Sequence, residues 1–416
     1  MNRIPTLCSR VGAAVVAVAV ASTAGADEFG GGVPGEWLAR WTGARTVGVG
    51  GAYVAWAQSP IGALWNPAGL SRLDRNEVHF ETAQLFEDTA MHGFSFAAPN
   101  HRFPSFGFTM VTLQSGTFEK TNDLNETVGS FHEGDVAFLF TASKGLSRRL
   151  SLGTNLKVVR QSIDEFDAAG WGVDLGVLYD VTPRFRVGTS VQNLGGPGLT
   201  LRETRETYPV ELRGGIAASI LSGRGLITTE IDHTTGPGTR IRGGTEYWLH
   251  PSMALRFGYV DDAPSGGFSY QVAPDSRFDY GVSTHELGVT HRFALSYQFG
   301  GFHATSQADP DVFSPLGERP VTKFQLKAHT KAETESWSLA ITDKLGAVVR
   351  EFGGAGSPPA HVMWDGKDVT GLPLADGSYS YRLVVVDAEG RELAGNERAV
   401  RLSTSGPRGS VPVLVN

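Results

Sequence analysis

Hydrophobic and polar residues alternate along most of the chain between residues 76 and 299. In residues 292–299, for example, Phe293, Leu295, Tyr297 and Phe299 share one face. A period of two is typical of a β-strand whose two faces meet different environments. The pattern predicts about fourteen strands. Their approximate bounds are 76–86, 91–98, 104–116, 132–143, 150–162, 170–181, 184–193, 208–220, 224–233, 239–248, 252–261, 265–274, 278–287 and 290–299.

The lengths of the predicted connections separate two β architectures. Connections at even positions are short turns, such as Thr182-Pro183, whereas the two long ones, 117–131 and 194–207, both fall at odd positions. Outer-membrane barrels have an even number of strands, short periplasmic turns and longer outer loops. A soluble β-sandwich gives no reason for this sorting. The sequence therefore favours an antiparallel transmembrane barrel over residues 76–300.

The two faces of the predicted strands differ in composition. One face is rich in Phe, Val, Leu, Ala and Tyr, and the other in Gly, Ser, Thr, Arg, Asp and Gln. Aromatic residues gather near strand ends, at Trp171, Tyr179, Tyr247, Trp248, Tyr259, Tyr270 and Tyr280. Membrane barrels carry aromatic girdles at such positions, although aromatic side chains favour strands in general.

The pattern changes after Phe299. Residues 301–320 contain Gly, Ser and Pro without periodicity and are expected to be a linker. Short alternating segments resume over residues 321–405, with Asp-Gly pairs at 365–366 and 376–377 where turns are needed. This spacing indicates a small immunoglobulin-like sandwich, in which Trp337, Trp364 and Tyr379 are expected core residues. Residues 406–416 form a tail.

The N-terminus has the features of a cleaved export signal. Arg3 and Arg10 precede an apolar run at 11–21 that is short for a membrane span, and small residues follow at 24–26. Residues 1–26 are therefore expected to be a signal peptide. The single cysteine, Cys8, lies within it. Across all 416 residues, 36 Lys and Arg stand against 43 Asp and Glu, which argues against a nucleic-acid partner.

The stretch GALWNPAGLS, residues 62–71, has a clear local preference. A residue before proline avoids the α region, and Asn is a good N-cap, so Asn66 and Pro67 predict a cap and a first helical position. With Ala68 and Gly69 they form an Asn-Pro-Ala-Gly turn. A glycine cluster, Gly48, Gly50 and Gly51, precedes it.

Residues 38–71 resemble the opening of the PorV/PorQ family, within the wider FadL-like group of outer-membrane barrels. The matching positions are Gly43-Ala44-Arg45, Gly48, Gly50 and Gly51, Ala52-Tyr53 and residues 66–70. The resemblance implies a fourteen-stranded barrel whose N-terminal segment, residues 27–75 here, folds into the lumen as a hatch. It also implies that Asn66 to Gly69 form the hatch turn, and that the glycine cluster packs closely against the inner wall.

Residues 337–390 resemble the FlgD-like immunoglobulin module. The resemblance rests on the W-x-L-x-I-x-D opening at Trp337, on Trp364-Asp365-Gly366, and on Asp376-Gly377 with Tyr379 and Tyr381. The expected fold class is therefore all-β: an antiparallel transmembrane β-barrel of about fourteen strands with an N-terminal luminal hatch, followed by a small Ig-like β-sandwich.

No motif of an enzyme or cofactor site is recognisable. A G-x-G-x-x-G pattern starting at Gly48 fails because Tyr53 occupies the place of the third glycine, and the histidines lack the spacing of a metal site. We expect no catalytic residues, cofactor or metal.

Three hypotheses of function remain. In the first, the barrel binds or transports a hydrophobic molecule, and outer-membrane lipid surrounds it. In the second, a closed barrel acts as a scaffold in protein secretion or surface attachment, with a periplasmic or secretion-system partner bound by the C-terminal domain. In the third, the chain is a soluble periplasmic β-protein. The expected location is the bacterial outer membrane, with the C-terminal domain in the periplasm because Phe299 ends an even-numbered strand.

Overall fold

The computed structural model describes residues 33–403, apart from Trp41, Glu87, 101–102, 261–262, 286–287, 318–319 and Leu345. The predicted signal peptide and tail lie outside these residues. The chain divides into two compact units, one ending at Phe299 and the other starting at Gly300. Among the described residues, no helix combines the length and the apolar character that a membrane span requires.

The described part of the N-terminal segment contains four short helices. They are α1 (Glu36–Arg40), α2 (Ala44–Gly48) and two 3₁₀ helices, η1 (Pro60–Leu64) and η2 (Pro67–Arg72). The two 3₁₀ helices each begin with proline, which is pre-organised for the first helical position. Almost every residue from 42 to 70 is buried.

The strands of the first unit are as follows: β1 (Asn76–Gln84), β2 (Ala90–Ala98), β3 (Ser105–Gln114), β4 (Phe118–Thr121), β5 (Thr127–Phe131), β6 (Glu133–Gly145), β7 (Leu150–Ile163), β8 (Phe166–Thr182), β9 (Phe185–Leu194), β10 (Gly198–Leu201), β11 (Thr204–Thr207), β12 (Glu211–Ile220), β13 (Gly225–Thr234), β14 (Gly238–His250), β15 (Met253–Val260), β16 (Ala263–Ala273), β17 (Ser276–His285) and β18 (Gly288–Phe299). A 3₁₀ helix, η3 (Leu221–Gly223), joins β12 to β13.

Fourteen of these strands form a closed antiparallel barrel. Each pairs with its neighbours in chain order, and β18 pairs with β1, with Asn76 opposite Phe299 and Gln84 opposite His291. The predicted fold class is thereby confirmed. The pairs β4–β5 and β10–β11 are separate hairpins within the two long connections.

The alternation of the sequence separates an apolar outside from a polar inside. Exposed apolar side chains cover the outer face, among them Phe80, Phe140, Leu156, Leu175, Ile216, Ile227, Ile231, Ile241, Phe257, Phe293 and Leu295. Buried charged and polar side chains point inward from the same strands, among them Glu81, Asn155, Lys157, Asp174, Arg213, Glu230, Arg242, Glu246, Arg256 and Asp279. A soluble sandwich would bury the first set, so this arrangement is that of a membrane barrel.

The second long connection folds back onto the inner face of the wall. Gly170 and Gly172 of β8 approach Gly198 and Pro197 so closely that a Cβ at either glycine would clash. Leu199 and Tyr208 are buried as a result. The sequence predicts only a long outer loop here.

The second unit is a β-sandwich built from the following strands: β19 (His303–Asp309), β20 (Val312–Phe313), β21 (Thr322–His329), β22 (Thr334–Thr342), β23 (Val348–Ala355), β24 (His361–Trp364), β25 (Gly377–Asp387), β26 (Glu392–Ala394) and β27 (Arg398–Leu402). One sheet has the order β19-β21-β24. The other has the order β20-β27-β25-β22-β23, with β26 added beside β25.

The linker predicted at 301–320 is wrong, because β19 and β20 lie within it and pair with β21 and β27. The inward residues of β19 are Ala304, Ser306 and Ala308. These small side chains produce no hydrophobic alternation, so the strand cannot be recognised from its pattern.

The structure places the predicted core residues of the sandwich together. Trp364 and Tyr379 are buried and meet edge to face, and Trp337 is partly buried against the same cluster. The Tyr379 hydroxyl donates to the carbonyl of Ala375, four residues earlier, at 2.7 Å. Such a link between a core tyrosine and upstream backbone occurs in immunoglobulin-like sandwiches.

Candidate functional site: the luminal hatch

Residues 33–75, which we call the hatch, pack against the inner wall of the barrel along two arcs. The helix α2 contacts β15, β16 and β17, whereas η2 contacts β6, β7 and β8. The glycine cluster and the Asn-Pro-Ala-Gly turn therefore lie against different parts of the wall.

Asn66 is the N-cap of η2 and has no exposed surface. Its Oδ1 accepts a hydrogen bond from the Ala68 N–H at 3.1 Å. Its Nδ2 donates to the carbonyl of Val54 in the hatch at 2.9 Å and to that of Val177 in β8 at 3.0 Å. The Asn66 side chain thus caps the turn, links two parts of the hatch and bonds them to the wall.

The glycine cluster lies where the hatch backbone meets wall backbone. A Cβ at Gly50 would lie 2.6 Å from the carbonyl oxygen of Gly243 and 2.6 Å from the N of Tyr259. Gly50 also has φ of +67°, which disfavours any side chain. Gly51 and Gly48 approach the side chains of Arg242 and Arg256.

The wall supplies glycines of its own at these contacts. A Cβ at Gly258 would overlap the backbone N of Gly50, and one at Gly281 would overlap the carbonyl of Ala44. Gly153, Gly188 and Gly244 meet hatch backbone in the same way, whereas Gly107, Gly176 and Gly215 face the side chains of Leu70, Asn66 and Val54. Hatch and wall are therefore matched at van der Waals contact, in several places backbone against backbone.

Two buried carboxylates of the wall hold the hatch backbone. Glu81 accepts from the N–H groups of Gly43 and Ala44 at 2.6 and 3.0 Å. Glu230 accepts from those of Tyr53 and Val54, both at 2.8 Å. These four N–H groups would otherwise be buried without partners. Neither glutamate can be recognised from the sequence, because a glutamate on the polar face of a strand looks like any solvated side chain.

A chain of buried ion pairs continues from the hatch into the wall. Arg45 contacts Glu246 at 2.8 Å, and Glu246 contacts Arg256 at 2.7 Å. Asp279 then joins Arg256, at 3.1 Å, to Arg277, at 2.8 Å. Removing one partner from a buried pair typically costs about 3–5 kcal/mol. The Arg45–Glu246 pair links the hatch to this network of wall charges.

An apolar arc lies on the wall from β1 to β8, beside inward polar residues of the same strands such as Glu81, Lys157 and Asp174. The inward-facing residues of β1 to β8 that form one buried cluster are Ala83, Met91, Val111, Ala137, Leu139, Val159 and Ala168. Trp37 and Leu38 of α1 cover them from the hatch, together with Leu199 and Tyr208 of the inward-folded loop. Burial raises the pKa of the Tyr208 phenol, which stays neutral. The lumen thus has a charged arc and an apolar arc.

Small cavities mark the border between these arcs. Two, of about 20 Å³ each, adjoin Asn193 and Glu211, and one of them reaches Lys157 and Leu38. Each is about the size of one water molecule. Among the residues that the structure describes, no three His, Cys, Asp or Glu side chains converge to hold a metal ion.

The residues predicted for the last barrel strand lie on the outer face. Phe293, Leu295, Tyr297 and Phe299 are 43%, 48%, 51% and 38% exposed. They adjoin the seam at which β18 meets β1.

Comparisons with known proteins assign the second unit and the fold of the first. Residues 316–389 match the family model of the FlgD Ig-like domain. Among solved structures, the P. putida toluene transporter TodX is similar with a TM-score of 0.51 and 14% identity, over 63% of this chain and 99% of that one. At this identity the likeness establishes the barrel fold alone.

Two further solved structures are similar. The Ralstonia pickettii toluene transporter TbuX has a TM-score of 0.49 and 14% identity, over 63% of this chain and 99% of that one. A Pseudomonas aeruginosa FadL homologue has a TM-score of 0.44 and 11% identity, over 62% and 98%. No curated protein sequence matches this chain.

Proposed function

We propose that this chain is an outer-membrane barrel that binds or transports a hydrophobic small molecule, with the hatch closing its lumen. The observation that carries the proposal is the apolar arc inside the barrel. Luminal walls of water-filled membrane barrels are polar, whereas here β1 to β8 present Met91, Val111, Leu139 and Val159 inward. Displacement of α1 and the inward loop would expose a concave apolar surface, which suits an apolar ligand.

The substrate class is proposed from the same feature and from the likeness in fold. TodX and TbuX are toluene transporters by name, and a small aromatic hydrocarbon has no group that needs a polar partner. We therefore take toluene as the first probe. From the resemblance of residues 38–71, we also propose that the chain is of the PorV/PorQ type.

The experiment compares Leu139→Asn with wild type in cells that take up labelled toluene. Leu139 is fully buried in the apolar arc, and Asn keeps the branching at Cγ while adding an amide that an apolar ligand cannot satisfy. Uptake is expected to fall several-fold. Leu156→Asn makes the same change on the outer face, and heat-modifiable gel migration establishes that both variants form barrels. Wild-type uptake by Leu139→Asn would contradict the proposal.

A second function is favoured by the close fit of the hatch and by the Ig-like unit. Backbone contacts at Gly50 and Gly258 and the buried Glu81 and Glu230 describe a tightly closed barrel. A closed barrel with an appended module suits a scaffold for secretion or surface attachment. Affinity capture that loses its protein partners when residues 300–416 are deleted, together with no toluene uptake, would favour this function over transport.

We also propose that the Ig-like unit lies in the periplasm as an interaction module. The last barrel strand, β18, ends at the same edge of the barrel as the short turns. Short turns face the periplasm in outer-membrane barrels.

A further inference from the structure

A groove of about 400 Å³ is open on the outer face of the barrel, near the end of β6 and the start of β7. Its lining includes the outward side chains Ala142, Lys144, Leu152, Thr154, Leu175 and Val177. All but Lys144 and Thr154 are purely apolar. The groove lies on the outer surface and is separate from the luminal arc described above.

The sequence explains why the surface is hollow at this place. Ala142 and Thr154 are direct partners across β6 and β7. The next outward pair along the same two strands is Phe140 and Leu156, and Phe106 of β3 lies opposite Ala142. These three larger side chains are 53%, 46% and 56% exposed. Two small residues among long ones leave a depression.

A basic rim closes the groove at the end with the short turns. Lys144 is the next outward residue after Ala142, and it lies opposite Leu152. The turn that follows carries Arg148 and Arg149, both exposed. The nearest carboxylate on β8, Asp180, is already paired with Arg72 at 2.9 Å and Arg186 at 2.6 Å. The rim thus carries three cationic side chains, of which Lys144 also donates to the carbonyl of Phe103 at 3.4 Å.

We propose that this groove binds an anionic phospholipid, with one acyl chain on Ala142 and Thr154 and the phosphate at Lys144 and the Arg148-Arg149 turn. The apolar floor lies toward the middle of the barrel and the basic rim toward its edge. That is the order of acyl chain and phosphate in the leaflet on that side. The inference rests on the orientation proposed above, which makes this the periplasmic leaflet, and it does not depend on what the lumen transports.

The experiment measures lipid retained by the full chain after purification in mild detergent, using native mass spectrometry. Phosphatidylglycerol and phosphatidylcholine are added separately as probes. Thr154→Phe fills the floor and is expected to lower phosphatidylglycerol occupancy severalfold. Lys144→Gln combined with Arg149→Gln is expected to lower affinity for phosphatidylglycerol roughly tenfold, with little effect on phosphatidylcholine.

Two matched controls keep the result specific. Thr229→Phe places the same change on the outer face of β13, and Arg224→Gln removes a basic residue from another short turn. Both should retain lipid as wild type does. Equal retention by Thr154→Phe and Thr229→Phe would overturn the proposal. So would lipopolysaccharide as the bound species, because it would place the groove in the outer leaflet. Toluene uptake should be unchanged in every variant, which separates this test from that of transport.

Discussion

Asn66 shows how far a single residue can be understood from the sequence. Its place before Pro67 predicts a cap, and the structure has Asn66 at the N-cap of η2. The two carbonyls that its Nδ2 reaches, those of Val54 and Val177, lie 12 and 111 residues away. Local preference predicts the turn, whereas the contact with Val54 depends on the fold of the hatch and that with Val177 on the closed barrel.

Replacing Asn66 with alanine should loosen the hatch without opening the barrel wall. The change removes the cap, typically costing about 0.5–2 kcal/mol, and also removes the Nδ2 hydrogen bonds to the carbonyls of Val54 and Val177. We expect faster hydrogen exchange over residues 60–72. Asn100→Ala is the matched control, because Asn100 also caps a short turn, through the Phe103 N–H, but is exposed. Equal exchange in the two variants would show that the hatch does not depend on this amide.

The role of Glu81 and Glu230 could not be predicted from the sequence. Both lie on the polar face of a strand, where a charged residue is expected in any barrel. Their role appears only when the hatch backbone is placed against them, because the partners are N–H groups that every residue has. A motif search for side-chain chemistry has no means of finding such a contact.

At the scale of elements, strands with strong alternation were predictable and weakly alternating ones were not. All fourteen barrel strands carry apolar residues toward lipid, so their period is clear. By contrast, β10 and β11 are four residues each, and β19 turns only Ala and Ser inward. Short length and small side chains remove the signal on which the prediction depends.

The contact between the turn after α2 and strand β15 gives a prediction at the same scale. Gly258→Ala would place a methyl group on the backbone of Gly50, so one of the two elements must move. We expect reduced yield of folded barrel and increased protease cleavage within residues 42–56. Gly214→Ala is the control, since nothing lies within 4 Å of a Cβ there. Normal folding of Gly258→Ala with a protected hatch would contradict the fit described here.

At the scale of the molecule, the alternation and the connection lengths together predicted the barrel. The apolar arc inside the lumen was not predictable. Inward residues of β1 to β8 such as Met91 and Leu139 are apolar like those facing lipid. Hydrophobicity alone cannot assign them to a ligand surface, to hatch packing or to an irregular strand. Their role becomes clear only from the residues that pack over them, which are those of α1 and the inward-folded loop.

The orientation of the whole chain is also testable. An epitope tag in the β4–β5 turn, at 123–125, should be accessible to antibody on intact cells, since long loops face outward. A tag after residue 416 should become accessible only after the outer membrane is broken. The reverse result would place the Ig-like unit on the cell surface and exclude a periplasmic partner.

The matched glycines of hatch and wall also constrain biogenesis. The hatch directly precedes β1, and β1 forms the closing seam with β18. The hatch contacts wall residues from β3 to β17. It therefore has little room to enter the lumen after β1 and β18 have paired. We therefore expect the hatch to be in place inside the wall before the first and last strands pair. A variant whose hatch is placed too slowly would be inserted slowly into the outer membrane, even if its folded state is stable.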